Sequence, residues 1–217
     1  MFYLSKKIFW IIGIVAVALI AIVMLSDAKE ESVVIDYEGQ PFLGEESAPV
    51  EIVEFGDYKC PHCGDFNNSL FPIINQELVE TGKAKFYFMN YSFIAPDSTT
   101  SAQFAETVYK ELGNEKFWEF HHLLFANQNS ESGQANLMTE EFLKAVLSEV
   151  ATPEETEKVM LAFGEGKGKE AWDKDMSTAN NLGVNSTPTI YIGGKEFTGS
   201  TMDDMIKMVE EADTSGK

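Results

Sequence analysis

Val50-Glu51-Ile52-Val53-Glu54-Phe55-Gly56-Asp57-Tyr58-Lys59-Cys60-Pro61-His62-Cys63 is the stretch on which the fold turns. Val50 to Phe55 is a short run of β-branched and apolar residues, the composition of a buried strand. Gly56 to Lys59 breaks that run and leads into two cysteines with two residues between them. From Pro61 the period changes. Phe66, Leu70, Ile73, Ile74 and Leu78 recur at three- and four-residue steps, which predicts a helix to about Glu80. Pro72 inside it has no N–H to give, so a kink or local unwinding is predicted there. Thr81-Gly82-Lys83 ends the helix, and Lys85-Phe86-Tyr87-Phe88-Met89 reads as a second strand. Strand, helix and strand in so short a span make a right-handed βαβ unit with parallel strands.

Further from this centre, Val33-Val34-Ile35 reads as a first edge strand and Gly39 to Pro49 as a loop. Downstream, residues 98–182 form a long helical tract, with periodic segments at Ser98–Leu112, Lys116–Asn127, Thr139–Val150, Pro153–Phe163 and Lys169–Asn181. Thr139 before Glu140 and Glu141, and Thr152-Pro153-Glu154-Glu155, carry the N-cap, first-position proline and first-turn acid signals of helix starts. Then Thr189-Ile190-Tyr191-Ile192, Gly193-Gly194 and Lys195-Glu196-Phe197 read as a hairpin with a tight glycine turn. Ser200 and Asp203 resemble a capping box before a last helix through Met205, Ile206, Met208 and Val209. The predicted order is βαβ, a block of helices, then ββα. That is an α/β thioredoxin fold with a helical subdomain inserted between its halves.

The N-terminus is of another kind. Lys6 and Lys7 precede an uncharged apolar run, residues 8–25, of 18 residues. At 1.5 Å per residue that is about 27 Å, close to the hydrocarbon thickness of a bilayer. The run is longer than the core of a typical cleaved signal, although Ser26 and Ala28 make a small-x-small pair. The reading is a transmembrane anchor with residues 1–7 in the cytoplasm and everything after it outside. The divisions that follow are a linker and edge segment at 26–48, a βαβ half at 49–97, the inserted helices at 98–182 and a ββα half at 183–217.

Charge closes off another class. The formal net charge is −19, and every basic residue is a lysine. Nucleic-acid binding needs a basic face, so that function is excluded.

Cys60 and Cys63 are the only cysteines of the chain. A ring that small staples little, so the pair is chemical and not structural. Structural zinc needs about four ligands, and beyond the two thiols the chain offers three histidines, of which His121 and His122 lie far away on a different predicted helix, and no second cysteine pair. No metal and no cofactor is assigned, and no EF-hand loop that would take calcium occurs. A cysteine pair that follows a strand and opens a helix is the setting of redox exchange. There the sulfur of Cys60 faces unsatisfied N–H groups and the positive end of the helix dipole, which favour thiolate over thiol. The Cys60 pKa is expected within about 3.5 to 7.5, with Cys60 the exposed attacking sulfur and Cys63 the shielded resolving one. Pro61 and His62 lie between them, and His62 is expected to tune the pair through N–H donation or charge. A stabilised thiolate favours the reduced enzyme and makes its disulfide the stronger oxidant, by about 30 mV for each 1.4 kcal/mol.

Three segments together carry a resemblance. Glu54 to Cys63, Phe117-Trp118-Glu119-Phe120-His121-His122-Leu123-Leu124-Phe125, and Gly183-Val184-Asn185-Ser186-Thr187-Pro188-Thr189 are similar to the hallmark segments of DsbA-like oxidoreductases. The anchored, two-cysteine form resembles the membrane-attached BdbD-type members of Gram-positive bacteria. The resemblance spans roughly Gly39 to Ala212. It implies that Thr187-Pro188 is a cis-proline loop lying against the disulfide and offering backbone groups to a bound peptide. It also implies that Glu54 is a buried acid assisting proton transfer at the resolving cysteine. Strand alternation alone leaves Glu54 facing either the core or solvent. His121 and His122 read as helix packing and cap residues.

The function expected is donation of disulfides to exported polypeptides with free cysteines, on the outer side of the cell membrane, with reoxidation by a membrane quinone-linked thiol oxidase. A reductase or isomerase on the same scaffold is the alternative. A non-enzymatic chaperone or metal-binding role has no need of both the cysteine pair and Thr187-Pro188.

Overall fold

The computed structural model describes residues 10–11, 13–15, 32–128 and 137–215. Two compact units divide between Ser32 and Val33. In the first, residues 10–11 and 13–15 are helical. The rest of the expected span at 8–25 lies outside the described residues. Among the described residues, no helix is long and apolar enough to cross a membrane.

The second unit is built on a mixed five-stranded sheet. Its strands are β1 (Phe42–Leu43), β2 (Val50–Gly56), β3 (Ala84–Asn90), β4 (Thr189–Ile192) and β5 (Lys195–Glu196), in the spatial order β1-β3-β2-β4-β5. β2 and β3 run parallel, Val50 opposite Ala84 through Gly56 opposite Asn90. β1 joins β3 antiparallel, and β4 joins β2 antiparallel with Glu54 opposite Ile190. Both glycines of the 193–194 turn take positive φ, 55° and 78°, as the tight hairpin requires.

The crossover from β2 to β3 is α1, residues 61–79. It is one unbroken helical run whose segments Phe66–Leu70 and Asn75–Val79 are wide, π-helical turns. The first of these comes directly before Phe71 and Pro72, where the Pro72 amide has no proton to give, so the expected kink takes the form of a widened turn. Between β3 and β4 come α2 (Pro96–Leu112), α3 (Asn114–Ala126), α4 (Glu140–Leu147), α5 (Pro153–Gly164) and α6 (Lys169–Asn181), and α7 (Met202–Ser215) follows the hairpin.

Strand alternation sorts the core. Val50 and Ile52, Phe86 and Phe88, and Ile190 and Ile192 join the main cluster with Phe66, Ile74 and Leu78 of α1, Phe104 of α2 and Phe117, Phe120 and Phe125 of α3. Val53, Phe55, Tyr87, Met89 and Tyr191 point the other way, against Ile35 and against Ala179 and Val184 at the end of α6. Both faces of β2 are therefore covered.

Two local expectations are corrected. Residues 33–35 form no strand; Val34 is 99% exposed, while Val33 N donates to Gly194 O of the hairpin turn at 2.8 Å and Ile35 is buried. The edge strand lies instead at Phe42–Leu43, within the expected loop, where the Phe42 ring packs on Tyr87 and the Asn114 side chain bonds both polar groups of the Phe42 backbone. The cap of α7 lies one residue later than the expected Ser200 and Asp203. Asp204 accepts from Thr201 N at 3.0 Å, and Thr201 Oγ1 accepts from Asp204 N at 3.1 Å. The Thr139 and Thr152 caps form where they were expected, the latter as a reciprocal box with Glu155.

Candidate active site

β2 ends at Gly56 and α1 begins at Pro61, so residues 57–60 form the turn that carries the first cysteine to the helix N-terminus. Cys60 is the N-cap, extended at φ −77° and ψ 117°, with Pro61 as the first helical residue. Asp57 organises the turn. Its buried carboxylate accepts from Lys59 N at 2.8 Å, Phe93 N at 3.0 Å and Ile94 N at 3.1 Å, tying the turn to the loop after β3. Burial raises its pKa against the pull of those donors.

The two sulfurs differ in depth. Both thiols are free and both are buried: Cys63 is fully covered, and Cys60, expected exposed, is only 4% exposed, with the Thr187 carbonyl 3.2 Å from its sulfur. The Cys60 pKa is drawn down to about 5, first by the hydrogen bond from the Cys63 thiol and then, against burial, by further donors that include the backbone N–H groups of Cys63 and His62. The Thr187 carbonyl accepts from the protonated Cys60 thiol, while the Thr187 side chain is among the groups that lower the thiol's pKa. Cys63 moves the opposite way. Burial, its bond to Cys60 and the nearby Glu54 carboxyl push its thiol far up, so it holds its proton.

Glu54 lies on the Ile52 face of β2, 1% exposed, opposite Phe88 on one side and Ile190 on the other. Burial and the neighbouring Cys60 charge raise its pKa well above the carboxylate range, and its carboxyl hydrogen-bonds Cys63. Oε1 has no protein partner among the described residues. The Thr187–Pro188 peptide bond is cis and leads directly into β4. Cys60, Cys63, Glu54, Thr187 and Pro188 therefore converge at one end of β2. The His62 side chain does not join them. It stands 82% exposed, Nδ1 4.0 Å from Asp65 Oδ2, and His62 meets the Cys60 sulfur through its backbone N–H.

Several residues that sequence reasoning passed over support the turn. The Lys59 ammonium is fully buried, 3.0 Å from Asp97 Oδ2, and that oxygen also accepts from Leu137 N and Met138 N. Burial pushes Asp97 up, yet these partners hold its carboxyl below the usual range. Tyr58 Oη hydrogen-bonds His121 Nδ1 at 3.0 Å, and burial keeps His121 neutral. His122 Nδ1 meets Asn67 Oδ1 at 2.7 Å, and burial lowers its pKa to about 4. His122 thus packs α3 on α1, and His121 packs α3 on the turn and on Phe88 of β3. The Gln128 amide reaches the Tyr58 and Cys60 carbonyls at 2.8 and 2.9 Å. Among the described residues, no group of three or more His, Cys, Asp or Glu side chains is placed to hold a metal ion.

A cysteine pair at the mouth of a strand–helix turn, one thiol acidified and the other buried, beside a cis-proline loop on a mixed α/β sheet, defines a protein thiol-disulfide oxidoreductase. The thioredoxin family model matches residues 36–211, and the chain belongs to that family, in its DsbA-like branch. It is 35% identical over 185 residues to disulfide bond formation protein D of Bacillus subtilis, which covers 83% of this chain and 79% of that one. A probable disulfide bond formation protein D of Bacillus cereus is 29% identical over 205 residues, 94% of this chain and 93% of that one. The crystal structure of oxidised BdbD from Bacillus subtilis matches with a TM-score of 0.77 at 32% identity, over 84% of this chain and 97% of that chain. Chlamydia trachomatis DsbA shares the fold at a TM-score of 0.68 and 22% identity, over 83% of this chain and 95% of that chain.

Proposed function

We propose that this protein donates disulfides to exported polypeptides through Cys60 and Cys63, on the outer face of the membrane to which residues 8–25 anchor it. The observation that carries this reading is the opposed behaviour of the two thiols, Cys60 drawn down to about 5 and Cys63 pushed up within the core. The names of the Bacillus relatives, disulfide bond formation proteins, point the same way.

The oxidised enzyme holds a Cys60–Cys63 disulfide. A substrate thiolate attacks the Cys60 sulfur, the S–S bond breaks, and Cys63 departs with the electron pair as the leaving group. Cys63 cannot stay ionised in its buried site. Glu54, kept protonated by burial and hydrogen-bonded to it, is the group in place to supply the proton. A second substrate thiolate then attacks the substrate sulfur of the mixed disulfide, and Cys60 leaves as a stable thiolate. The substrate has lost two electrons and the enzyme has gained them. A membrane quinone-linked thiol oxidase accepts them in turn. The Thr187 and Pro188 backbone offers polar groups to the bound chain, and the helices at 98–182 wall the approach.

Equilibration of the protein in glutathione buffers tests the direction. A potential near or above about −150 mV marks a donor, whereas one near or below about −250 mV overturns donation and leaves a reductase or isomerase on the same scaffold.

A further inference from the structure

Gln128 follows α3, and its amide nitrogen donates to two carbonyls of the active-site turn, Tyr58 O at 2.8 Å and Cys60 O at 2.9 Å. The Cys60 carbonyl already accepts the first bond of α1, from Gly64 N at 3.1 Å. One amide thus clamps carbonyls on both sides of Lys59, one of them on the residue that bears the outer sulfur. The other end of the amide lies against Gly64. Its Oε1 occupies the space where a side chain at Gly64 would begin, so that a Cβ there would fall far inside contact distance.

The plane of the Cys60–Pro61 peptide is the joint between the sulfur-bearing residue and the helix. Its rotation, set by the Cys60 ψ of 117°, decides where the N–H groups of His62 and Cys63 lie relative to the sulfur. We propose that Gln128 is a positioning residue for disulfide exchange, its amide locking that joint, with Gly64 kept free of a side chain so that the amide can reach it. The inference rests on Cys60 and Cys63 being the exchanging pair. It adds a residue that touches neither sulfur and that lies far away in the chain. A carbonyl released from its donor is free to turn, the helix donors turn relative to the sulfur, and the thiolate loses part of their support.

The test compares the whole protein with Gln128→Ala, Gly64→Ala, the double variant and Gln128→Lys, measuring the glutathione equilibrium and the pH titration of the Cys60 thiolate. Gln128→Ala is expected to shift the equilibrium about tenfold toward the enzyme disulfide, which is about 30 mV more reducing, with the thiolate forming at higher pH. Gly64→Ala shifts it the same way by evicting the amide. Because Gly64 acts only through Gln128, the double variant shifts no further than Gln128→Ala alone. Gln128→Lys keeps an N–H donor within reach and restores most of the wild-type value, which a mere packing role would not do. Thermal melts of each variant separate these shifts from loss of fold. If Gln128→Ala does not fold, an unshifted Gly64→Ala overturns the inference by itself. Unshifted variants, or Gly64 and Gln128 effects that add in the double, overturn the role of Gln128 and leave the pair intact. A wild-type protein without an exchanging thiolate overturns the pair and this inference together.

Discussion

Replacing Cys63 by alanine removes the first of the donors that hold the Cys60 thiolate, and the size of the effect follows from what remains. A hydrogen bond to a charged group contributes about 1.5–3 kcal/mol, and 1.36 kcal/mol is one pKa unit. A thiol is a weak donor, so the low end applies. The Cys60 pKa is then expected to rise by about one unit from its value of about 5, with the helix N–H groups still in place. Serine at the same position keeps a donor, and a hydroxyl is the better one. Cys63→Ser is expected to titrate at or below the wild-type value. The two variants differ by one atom, so the loss of the second sulfur's size and reactivity is common to both. The assay is the ultraviolet absorbance of the thiolate across pH, supported by the pH dependence of the alkylation rate by iodoacetamide. Alanine and serine variants that titrate together would show that the helix donors alone hold the thiolate. An alanine variant that stayed at the wild-type value would refute the role assigned to the Cys63 thiol.

The depressed thiol also ties stability to pH. A Cys60 pKa of about 5 lies below that of an unstructured thiol, so the folded reduced protein binds fewer protons than the unfolded chain between the two values. The stability of the reduced form relative to the oxidised form is expected to rise with pH across that window, by at most about 5 kcal/mol in all, and to be lost as pH falls through about 5. Urea unfolding of both redox forms at several pH values measures it, and a difference that stays flat or falls with pH contradicts it. Lys59→Met leaves Asp97 buried without its ion-pair partner, an event that costs about 3–5 kcal/mol. The Leu137 and Met138 N–H donors still serve the same oxygen, so the low end, about 3 kcal/mol, is expected, and adding Asp97→Asn should recover part of it. A loss under about 1 kcal/mol in the Lys59→Met melt would mean that the pair holds little.

The βαβ unit, the hairpin, the Thr139 and Thr152 caps and the place of the cysteines were legible because each is written in neighbouring residues. The face of Glu54 was not. Both sides of β2 are buried, so Val53 and Phe55 advertise one face as strongly as Val50 and Ile52 advertise the other. The edge strand was misplaced for a related reason. Val33-Val34-Ile35 has better strand composition than Phe42–Leu43, but Tyr87 and the Asn114 amide select the second, and neither partner is near in sequence. Lys59 reads as a surface lysine until Asp97 is found opposite it, and Gln128 gives no local signal at all. His62 was expected to tune the pair through N–H donation or charge; its backbone N–H meets the Cys60 sulfur, while its ring points outward from the first helical turn into solvent.

The unequal depth of the two sulfurs has a consequence for how long a captured chain is held, if the pair exchanges as proposed. A client is caught on the outer sulfur, since the inner one is fully buried. A client with two thiols leaves forwards, by closing its own bridge. One with a single thiol is expelled by attack of Cys63, and a thiol that burial keeps protonated is a poor nucleophile. Burial of the second sulfur thus lengthens the stay of a captured chain and gives its own second thiol time to arrive.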